Sequence, residues 1–278
     1  MLDGNTVVKS TAFCPAAILA AINNFPGYAD PASIVAGGDG AAMQEWFKGQ
    51  FAAINLQPYD GHLWGKGGDV AEVNDFLREK DFPDVQVSGQ GTAAAGVFKV
   101  AINFAEPGTE STMKIGDESY QGAKFDSFDL RRLPDGRMVL KLAAAQAGWS
   151  LYLTPQAGVC DHYYVACMAL WAFKDAQEVG DYKFVETPVC KFRDSVNVDW
   201  LVGMTIAGRR VDEALKKVVF EFDHLGAKGE AAVVIVTRSF SQPKVFRIDG
   251  PYIAFFHKDG MTEPAFAAHV APDAWMKK

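Results

Sequence analysis

Residues 223–243 have the sequence DHLGAKGEAAVVIVTRSFSQP, and the two halves of this stretch differ in character. The first half is small and flexible, with two glycines and three alanines. The second half begins with five consecutive residues of high β-propensity, from Val233 to Thr237, which predict a strand. Polar residues and Pro243 follow, and they would end that strand.

The alternation of side chains along this stretch is compatible with entry into a sheet, because strand residues point alternately to the two faces. One face would carry Ala227, Gly229 and Ala231 and has no charge. The other face begins with Lys228 and ends with Arg238. The small face can therefore lie against a core while the charges stay in water. An ordinary half-buried strand that follows a glycine turn explains the same pattern.

The flanks of this stretch add two further features. Val211–Asp223 is largely apolar towards its end and predicts a strand that closes on an acidic residue. Val245–Gly260 contains the pair Pro251–Tyr252, which an apolar strand follows. In order, the chain has a strand with an acidic end, a Gly/Ala hinge, an apolar run, a polar segment and an aromatic tail. This order resembles the reactive-centre loop of the serpins and its flanks.

The resemblance implies a serine protease inhibitor that acts as a suicide substrate, and not an enzyme. In serpins the target protease cuts the loop, the loop inserts into the main sheet as a new strand, and the protease is trapped as a covalent acyl-enzyme complex. In this chain the reactive-centre loop would span about 224–243. Its hinge would consist of small residues, namely Gly226, Ala227, Gly229, Ala231 and Ala232. Ala227 departs from the family, in which Thr or Ser is usual.

The scissile bond follows from the family's spacing. Counting fourteen residues on from Gly226 and eleven back from Pro251 reaches Phe240 in both cases. We therefore predict cleavage at Phe240–Ser241, and a large aromatic residue there suits a chymotrypsin-like protease. Cleavage at Arg238–Ser239 by a trypsin-like protease is the alternative.

Other segments resemble serpin elements less strongly. Phe13–Ile22 predicts a helix beneath the main sheet, and Gly37–Gln44 the turn into the next helix. Val73–Lys80 predicts a helix that lies across the sheet. Val97–Phe104 resembles the central strand that lines the gap receiving the loop.

The second half of the chain predicts mainly strands. The predicted elements are Arg137–Leu142, Trp149–Pro155, a helix within 160–180, the long strand Tyr182–Arg193 with a proline bulge, and Ala265–Pro272, where Ala replaces the family's usual Gly. The expected fold is a single α+β serpin-like domain over residues 1–278, with mixed β-sheets, surrounding helices and an exposed reactive-centre loop. Because 51–69 is too short for the helices and strands usual there, we expect a miniature member.

Composition limits the partners. The 278 residues are 49% hydrophobic and carry a net charge of -7, so the chain can bury a large core. No Lys/Arg cluster indicates nucleic acid or an anionic membrane as a partner, and no apolar run approaches a membrane span. We expect a monomer whose partner is the target protease. The start at Met1 shows no signal peptide, which indicates the cytoplasm if Met1 is native, with secretion as the alternative.

Cysteines and histidines predict no metal or cofactor. Cys160 and His162 lie close in sequence, but a zinc site needs three or four ligands. We expect the cysteines to be buried thiols, although two disulfides are possible. No G-x-S-x-G motif, zinc-ligand motif or dinucleotide fingerprint is present. The alternatives to an inhibitor are a non-inhibitory serpin, acting as a carrier, chaperone or interaction module, and an unrelated α+β enzyme.

Overall fold

A computed structural model describes residues 9–51, 56–59, 61–156, 161–194, 198–215, 217–227 and 244–278. These residues form helices and several β-sheets, which confirms the α+β class. They group into two units. Unit 1 comprises Met1–Phe13, Ala101–Arg193 and Val219–Lys278, and unit 2 comprises Cys14–Val100 and Asp194–Val218. That residues 1–278 form one domain stays a prediction.

Four α-helices lie in the part of the chain that the structure describes. They are α1 (Pro15–Asn23), α2 (Ala41–Phe51), α3 (Val70–Glu79) and α4 (His162–Phe173). The predicted helices at 13–22, 73–80 and within 160–180 are therefore confirmed. Pro15 occupies the first turn of α1, where its missing N–H has no intrahelical partner to lose.

The strands are short, and most of them belong to unit 1. They are β1 (Thr11–Phe13), β2 (Ile34–Val35), β3 (Leu63–Asp69), β4 (Thr92–Phe98), β5 (Ile102–Asn103), β6 (Thr109–Ile115), β7 (Glu118–Phe125), β8 (Asp129–Arg132), β9 (Met138–Ala143), β10 (Trp149–Pro155), β11 (Gln177–Glu178), β12 (Phe184–Pro188), β13 (Cys190–Asp194), β14 (Thr205–Ile206), β15 (Arg209–Arg210), β16 (Val218–Phe222), β17 (Gly226–Ala227), β18 (Val245–Arg247), β19 (Tyr252–Lys258) and β20 (Phe266–Val270).

Unit 2 is built around the antiparallel pair β3–β4, with a helix on each face. Glycines let α1 approach one face closely, since a Cβ on Gly96 would lie 1.9 Å from the carbonyl oxygen of Ala17. On the other face, Val73 and Leu77 of α3 pack with Ala95 and its neighbours in β4. A second sheet of unit 2 has the strand order β15-β14-β2.

Unit 1 contains a seven-stranded sheet with the order β1-β20-β19-β10-β9-β8-β11. Its strands β19 and β20 are apolar and almost wholly buried, and α4 packs against both. Tyr163 of α4 stacks edge-on against Phe13, and its hydroxyl donates to the carbonyl of Pro264 over 2.8 Å. The predicted strand Trp149–Pro155 is confirmed as β10.

A four-stranded sheet, β18-β12-β7-β6, and two strand pairs complete unit 1. The pair β13–β16 joins the strand after β12 to the strand that leads towards the predicted loop, and the pair β5–β17 holds the predicted hinge. These sheets hold both flanks of residues 228–243.

Three predicted strands are shorter than the sequence suggests. Val97–Phe104 is broken between β4 and β5, where Lys99 donates its N–H to the carbonyl of His62 over 2.8 Å and the chain passes from unit 2 to unit 1. Tyr182–Arg193 is broken at Val189, between β12 and β13, where the N–H of Val189 donates to the carbonyl of Gln121 in β7 and its own carbonyl accepts from the N–H of Met276. Within Val211–Asp223, strand structure begins at Val218.

Candidate functional site

The predicted reactive bond lies outside the described residues. Phe240 and Ser241 are among the residues left out, as are Arg238 and Ser239 of the alternative bond. Most of the predicted hinge is left out as well, namely Gly229, Ala231 and Ala232. The structure does describe Gly226 and the backbone of Ala227, and it resumes at Lys244. The candidate site is therefore built from the two flanks of residues 228–243, both of which belong to unit 1.

A tight turn connects β16 to the hinge. The Asp223 carboxylate accepts hydrogen bonds from the backbone N–H of Leu225 (2.8 Å) and of Gly226 (3.0 Å). The N–H of Asp223 donates to the carbonyl of Gly226 over 3.0 Å. An aspartate that bonds to the backbone two and three residues further on stabilises such a turn. This turn fixes the direction in which the chain leaves β16.

Gly226 and Ala227, the first two residues of the predicted hinge, are paired with β5. Gly226 lies opposite Asn103 and Ala227 opposite Ile102 in an antiparallel register. A Cβ on Gly226 would lie 2.2 Å from the carbonyl oxygen of Ile102, so only glycine fits at this distance. Beside the pair, the N–H of Phe104 donates to the carbonyl of Leu225 over 3.0 Å. The start of the predicted loop is thus held by backbone hydrogen bonds.

Strand β5 also makes hydrogen bonds on the side away from Gly226 and Ala227. The N–H of Ala145 donates to the carbonyl of Asn103 over 2.8 Å. The Gln146 side chain accepts from the N–H of Asn103 (3.1 Å) and donates to the carbonyl of Ala101 (3.2 Å). The segment that contains β5 therefore lies between the hinge and the connection from β9 to β10.

Three phenylalanines close the apolar side of this region. Phe104, Phe125 and Phe222 are 3%, 1% and 1% exposed, and their ring centroids lie 5.3–6.2 Å apart. Aromatic pairs at such distances stabilise a core beyond the effect of their buried area. Phe222 is the last residue of β16, so this cluster fixes the strand directly before the hinge turn.

Two ion pairs lie near the hinge. Lys191 of β13 and Glu221 of β16 are 2.8 Å apart, which links these two strands through side chains as well as through the backbone. The imidazole of His224 lies 4.0 Å from the Glu110 carboxylate, and His224 also accepts a hydrogen bond from the N–H of Gly108 at its carbonyl. At this separation the side chains attract each other when His224 is protonated.

After residues 228–243, the described chain resumes at Lys244 and forms β18. This strand runs parallel to β12, with Phe184 opposite Val245 and Glu186 opposite Arg247. The N–H of Lys183 donates to the carbonyl of Lys244 over 3.0 Å. The Arg247 guanidinium lies 2.9 Å from the mostly buried Glu186 carboxylate. Residues 228–243 are therefore flanked on both sides by paired strands.

Strand β16, which leads into the hinge, has one partner among the described residues, β13. Its second edge has no ladder partner in that part of the chain. An unpaired strand edge is able to receive another strand.

Among the described residues, the cysteines and the acidic side chains form no second candidate site. Cys14, Cys167 and Cys190 are buried thiols, and burial raises the pKa of Cys190 to about 12. Such thiols are not reactive at neutral pH. Within the described ranges no cluster of three or more His, Cys, Asp or Glu residues is arranged to hold a metal ion. No described helix is long and apolar enough to cross a membrane.

The sequence predicted a hinge that begins at Gly226 and Ala227, but it did not predict which residues contact these two. Ile102–Asn103 and Gln146 contact the hinge region or its partner strand although they are far from it in sequence. Asp223 carried the one local signal, because an aspartate three residues before a glycine is typical of a turn.

Neither protein-family models nor curated proteins match this sequence. The structure is nevertheless similar to solved serpin structures. Serpin48 of the insect Tenebrio molitor has a TM-score of 0.56 at 12% identity, with 95% of this chain and 92% of that chain covered. Mouse protein-Z dependent protease inhibitor has a TM-score of 0.58 at 11% identity, with 95% and 91% covered. Human thyroxine-binding globulin has a TM-score of 0.56 at 12% identity, with 94% and 91% covered.

Proposed function

We propose that this chain, which has the serpin fold, is a suicide-substrate inhibitor of a serine protease. The fold alone does not decide between inhibitor and carrier, since a protease inhibitor and a thyroxine-binding globulin share it. The observation that carries the proposal is the pair of flanks at β17 and β18. Both ends of the described chain that border residues 228–243 are paired with other strands, and β16, which precedes β17, has a second edge without a ladder partner in the described chain.

The covalent step uses the catalytic residues of the protease and none of this chain. The protease serine attacks the carbonyl carbon of Phe240 and forms an ester with it. The peptide bond to Ser241 breaks, and its nitrogen leaves as an amine after it takes the proton from the protease histidine. Phe240 suits a chymotrypsin-like specificity pocket. Arg238–Ser239 is the corresponding bond for a trypsin-like protease.

The conformational step follows from the unpaired edge of β16. After cleavage, the residues before the cut turn back and pair antiparallel with that edge. The hinge must separate from β5 first, and each backbone hydrogen bond lost there costs about 1 kcal/mol net. Burial of Val233 and Ile235 contributes roughly 1.5–3 kcal/mol per side chain. Insertion that is faster than deacylation traps the protease, whereas slower insertion makes the protein a substrate.

The test is to mix the protein with chymotrypsin and, separately, with trypsin, and to analyse the products by denaturing gels and mass spectrometry. We expect a denaturant-stable complex with chymotrypsin and a released peptide that starts at Ser241. Cleavage at this bond without any complex would favour a non-inhibitory serpin. Failure of both proteases to cut preferentially between Gly226 and Pro243 would contradict the proposed loop.

Two variants of Ala227 complete this experiment, because Ala227 would lie on the inward face of the inserting hinge. We expect Ala227→Arg to keep the fold and to be cut without forming a complex, since a large cation opposes burial in a sheet. Ala227→Ser is the matched control and should form complex at the wild-type level. A wild-type level of complex with Ala227→Arg would contradict insertion.

A further inference from the structure

The sheet at the far flank of residues 228–243 carries an unusual concentration of cations on aromatic rings. The Lys124 ammonium lies 3.9 Å from the centroid of the Phe184 ring, and the Lys183 ammonium lies 5.4 Å from the same centroid. The Lys244 ammonium lies 4.6 Å from the centroid of a second ring, that of Tyr182. We call Lys124, Lys183, Phe184, Lys244 and Arg247 the Phe184 patch.

Two cations of the Phe184 patch already have carboxylate partners. Arg247 lies 2.9 Å from Glu186, and Lys244 lies 3.4 Å from Asp181. Among the ion pairs of the described residues, none includes Lys124 or Lys183. Lys124 and Lys183 thus bring two ammonium groups to one ring, and a carboxylate placed near the ring would be attracted to both.

Among the described residues, Glu186 lies opposite Lys124 in the strand register, but its carboxylate is already paired with Arg247, as Asp181 is with Lys244. The net charge of the chain is -7, so this local excess of positive charge opposes the sign of the whole molecule. The sequence between Ala227 and Lys244 has one carboxylate, Glu230, against the two cations Lys228 and Arg238. The anion that fits the patch therefore comes from a partner.

The position of the patch identifies that partner. Ser241 precedes Lys244 by three residues, and three residues of extended chain span at most about 11 Å. Lys244 in turn accepts a hydrogen bond from the N–H of Lys183, directly beside Phe184. A protease that holds the bond Phe240–Ser241 in its cleft must therefore lie next to the patch, on the leaving-group side of the cut.

We propose that the Phe184 patch binds carboxylates on the rim of the protease that cleaves the loop, and that Lys124 and Lys183 select acidic proteases. This proposal rests on the proposed inhibitory function. Charged groups at the rim of an interface act chiefly on the rate of association and on its dependence on salt. The patch should thus raise the rate at which an acidic protease reaches the loop, without a change in the bond that is cut.

The test compares native chymotrypsin with succinylated chymotrypsin, in which surface ammonium groups become carboxylates. For each enzyme, kcat/KM for cleavage at Phe240–Ser241 is measured at low salt and divided by its value for a small peptide substrate. The ratio of the succinylated to the native value is the readout. We expect Lys124→Gln/Lys183→Gln to lower this ratio about fivefold relative to wild type.

The matched control is Lys114→Gln/Lys174→Gln, which changes the net charge equally. Lys114 lies on the opposite face of the same sheet by strand parity, and Lys174 follows α4. We expect a change in the ratio of less than about twofold for this control. The difference between the two variants should disappear in about 0.5 M NaCl, because salt screens exposed charges.

The outcomes separate the two proposals. Equal ratios for both variants, with cleavage intact, would overturn the role of the patch and leave the inhibitor proposal standing. Absence of cleavage by either enzyme would overturn the inhibitor proposal and the patch with it. If wild type binds heparin, Lys124→Gln/Lys183→Gln does not, and the ratio is unchanged, then the patch takes a polysaccharide and the protease assignment is wrong.

Discussion

At the scale of single residues, one buried and one half-buried histidine make the stability of unit 1 depend on pH. His269 of β20 is 4% exposed, and its Nε2 has no hydrogen-bond partner among the described residues. Burial lowers the pKa of His269, although hydrogen bonds with the backbone of Lys9 and Gln156 and the charge of Asp273 oppose this effect. Burial also lowers the pKa of His257, whose Nε2 contacts the carbonyl oxygen of Met261 at 2.9 Å.

The sign of the effect follows from proton binding. Below the ordinary pKa of 6.5 the unfolded chain binds a proton at each histidine, whereas the folded chain does so only at a lower pH. The stability contributed by the neutral histidines is therefore complete above pH 6.5 and is lost as the pH falls through the folded pKa values. Each histidine contributes at most about 1.4 kcal/mol per pH unit to the slope of the free energy of unfolding against pH.

We expect His269→Gln to have a shallower decline in the free energy of unfolding between pH 7 and 5 than wild type, as measured by urea denaturation. A decline as steep as that of wild type would contradict this prediction.

At the scale of elements, the pairing of β17 with β5 requires a glycine at 226. In Gly226→Ala the new Cβ would lie 2.2 Å from the carbonyl oxygen of Ile102, so the two strands must move apart. We expect a loss of about 1–3 kcal/mol in the free energy of unfolding, as is usual for overpacking. Gly180→Ala is the control, since its Cβ would meet no atom within 4 Å and its backbone is not in the left-handed region. Equal stabilities of the two variants would show that the hinge is not paired as described.

The helices and strands also show which parts of the fold the sequence could predict and which it could not. Local patterns located α1, α3, α4 and β10, because helix starts and continuous apolar runs are encoded by neighbouring residues. Local pattern also suggested one strand over Val97–Phe104, since every residue there except Lys99 and Asn103 is apolar. The break at Lys99 depends on a hydrogen bond to His62, and the pairing of Asn103 with Gly226 spans more than a hundred residues. Contacts of this kind leave no periodic trace in a single sequence.

At the scale of the whole molecule, the serpin fold was predicted from the order of features between Val211 and the C-terminus, and the similarity to solved structures confirms it. Sequence comparison did not lead to this result, as no family model matches. The signal lay in the sequence of a small hinge, an apolar run and an aromatic tail. The reactive bond itself stays a prediction, because Phe240 lies outside the described residues.

The thermal stability of the whole molecule, compared before and after cleavage, distinguishes a loop that inserts from one that does not. A loop that inserts beside β16 gains backbone pairing and buries Val233 and Ile235, for roughly 3–6 kcal/mol from these two side chains. We expect thermal unfolding of the protein nicked at Phe240–Ser241 to occur about 10 °C above that of the intact protein, since each kcal/mol shifts the midpoint of a chain of this size by about 2–4 °C. The nicked Ala227→Arg variant is the control and should show no such gain, because its hinge stays outside the sheet. An unchanged or lower midpoint for the nicked wild type would mean that cleavage releases no more stable state, and the chain would then act as a carrier or interaction module on the same fold.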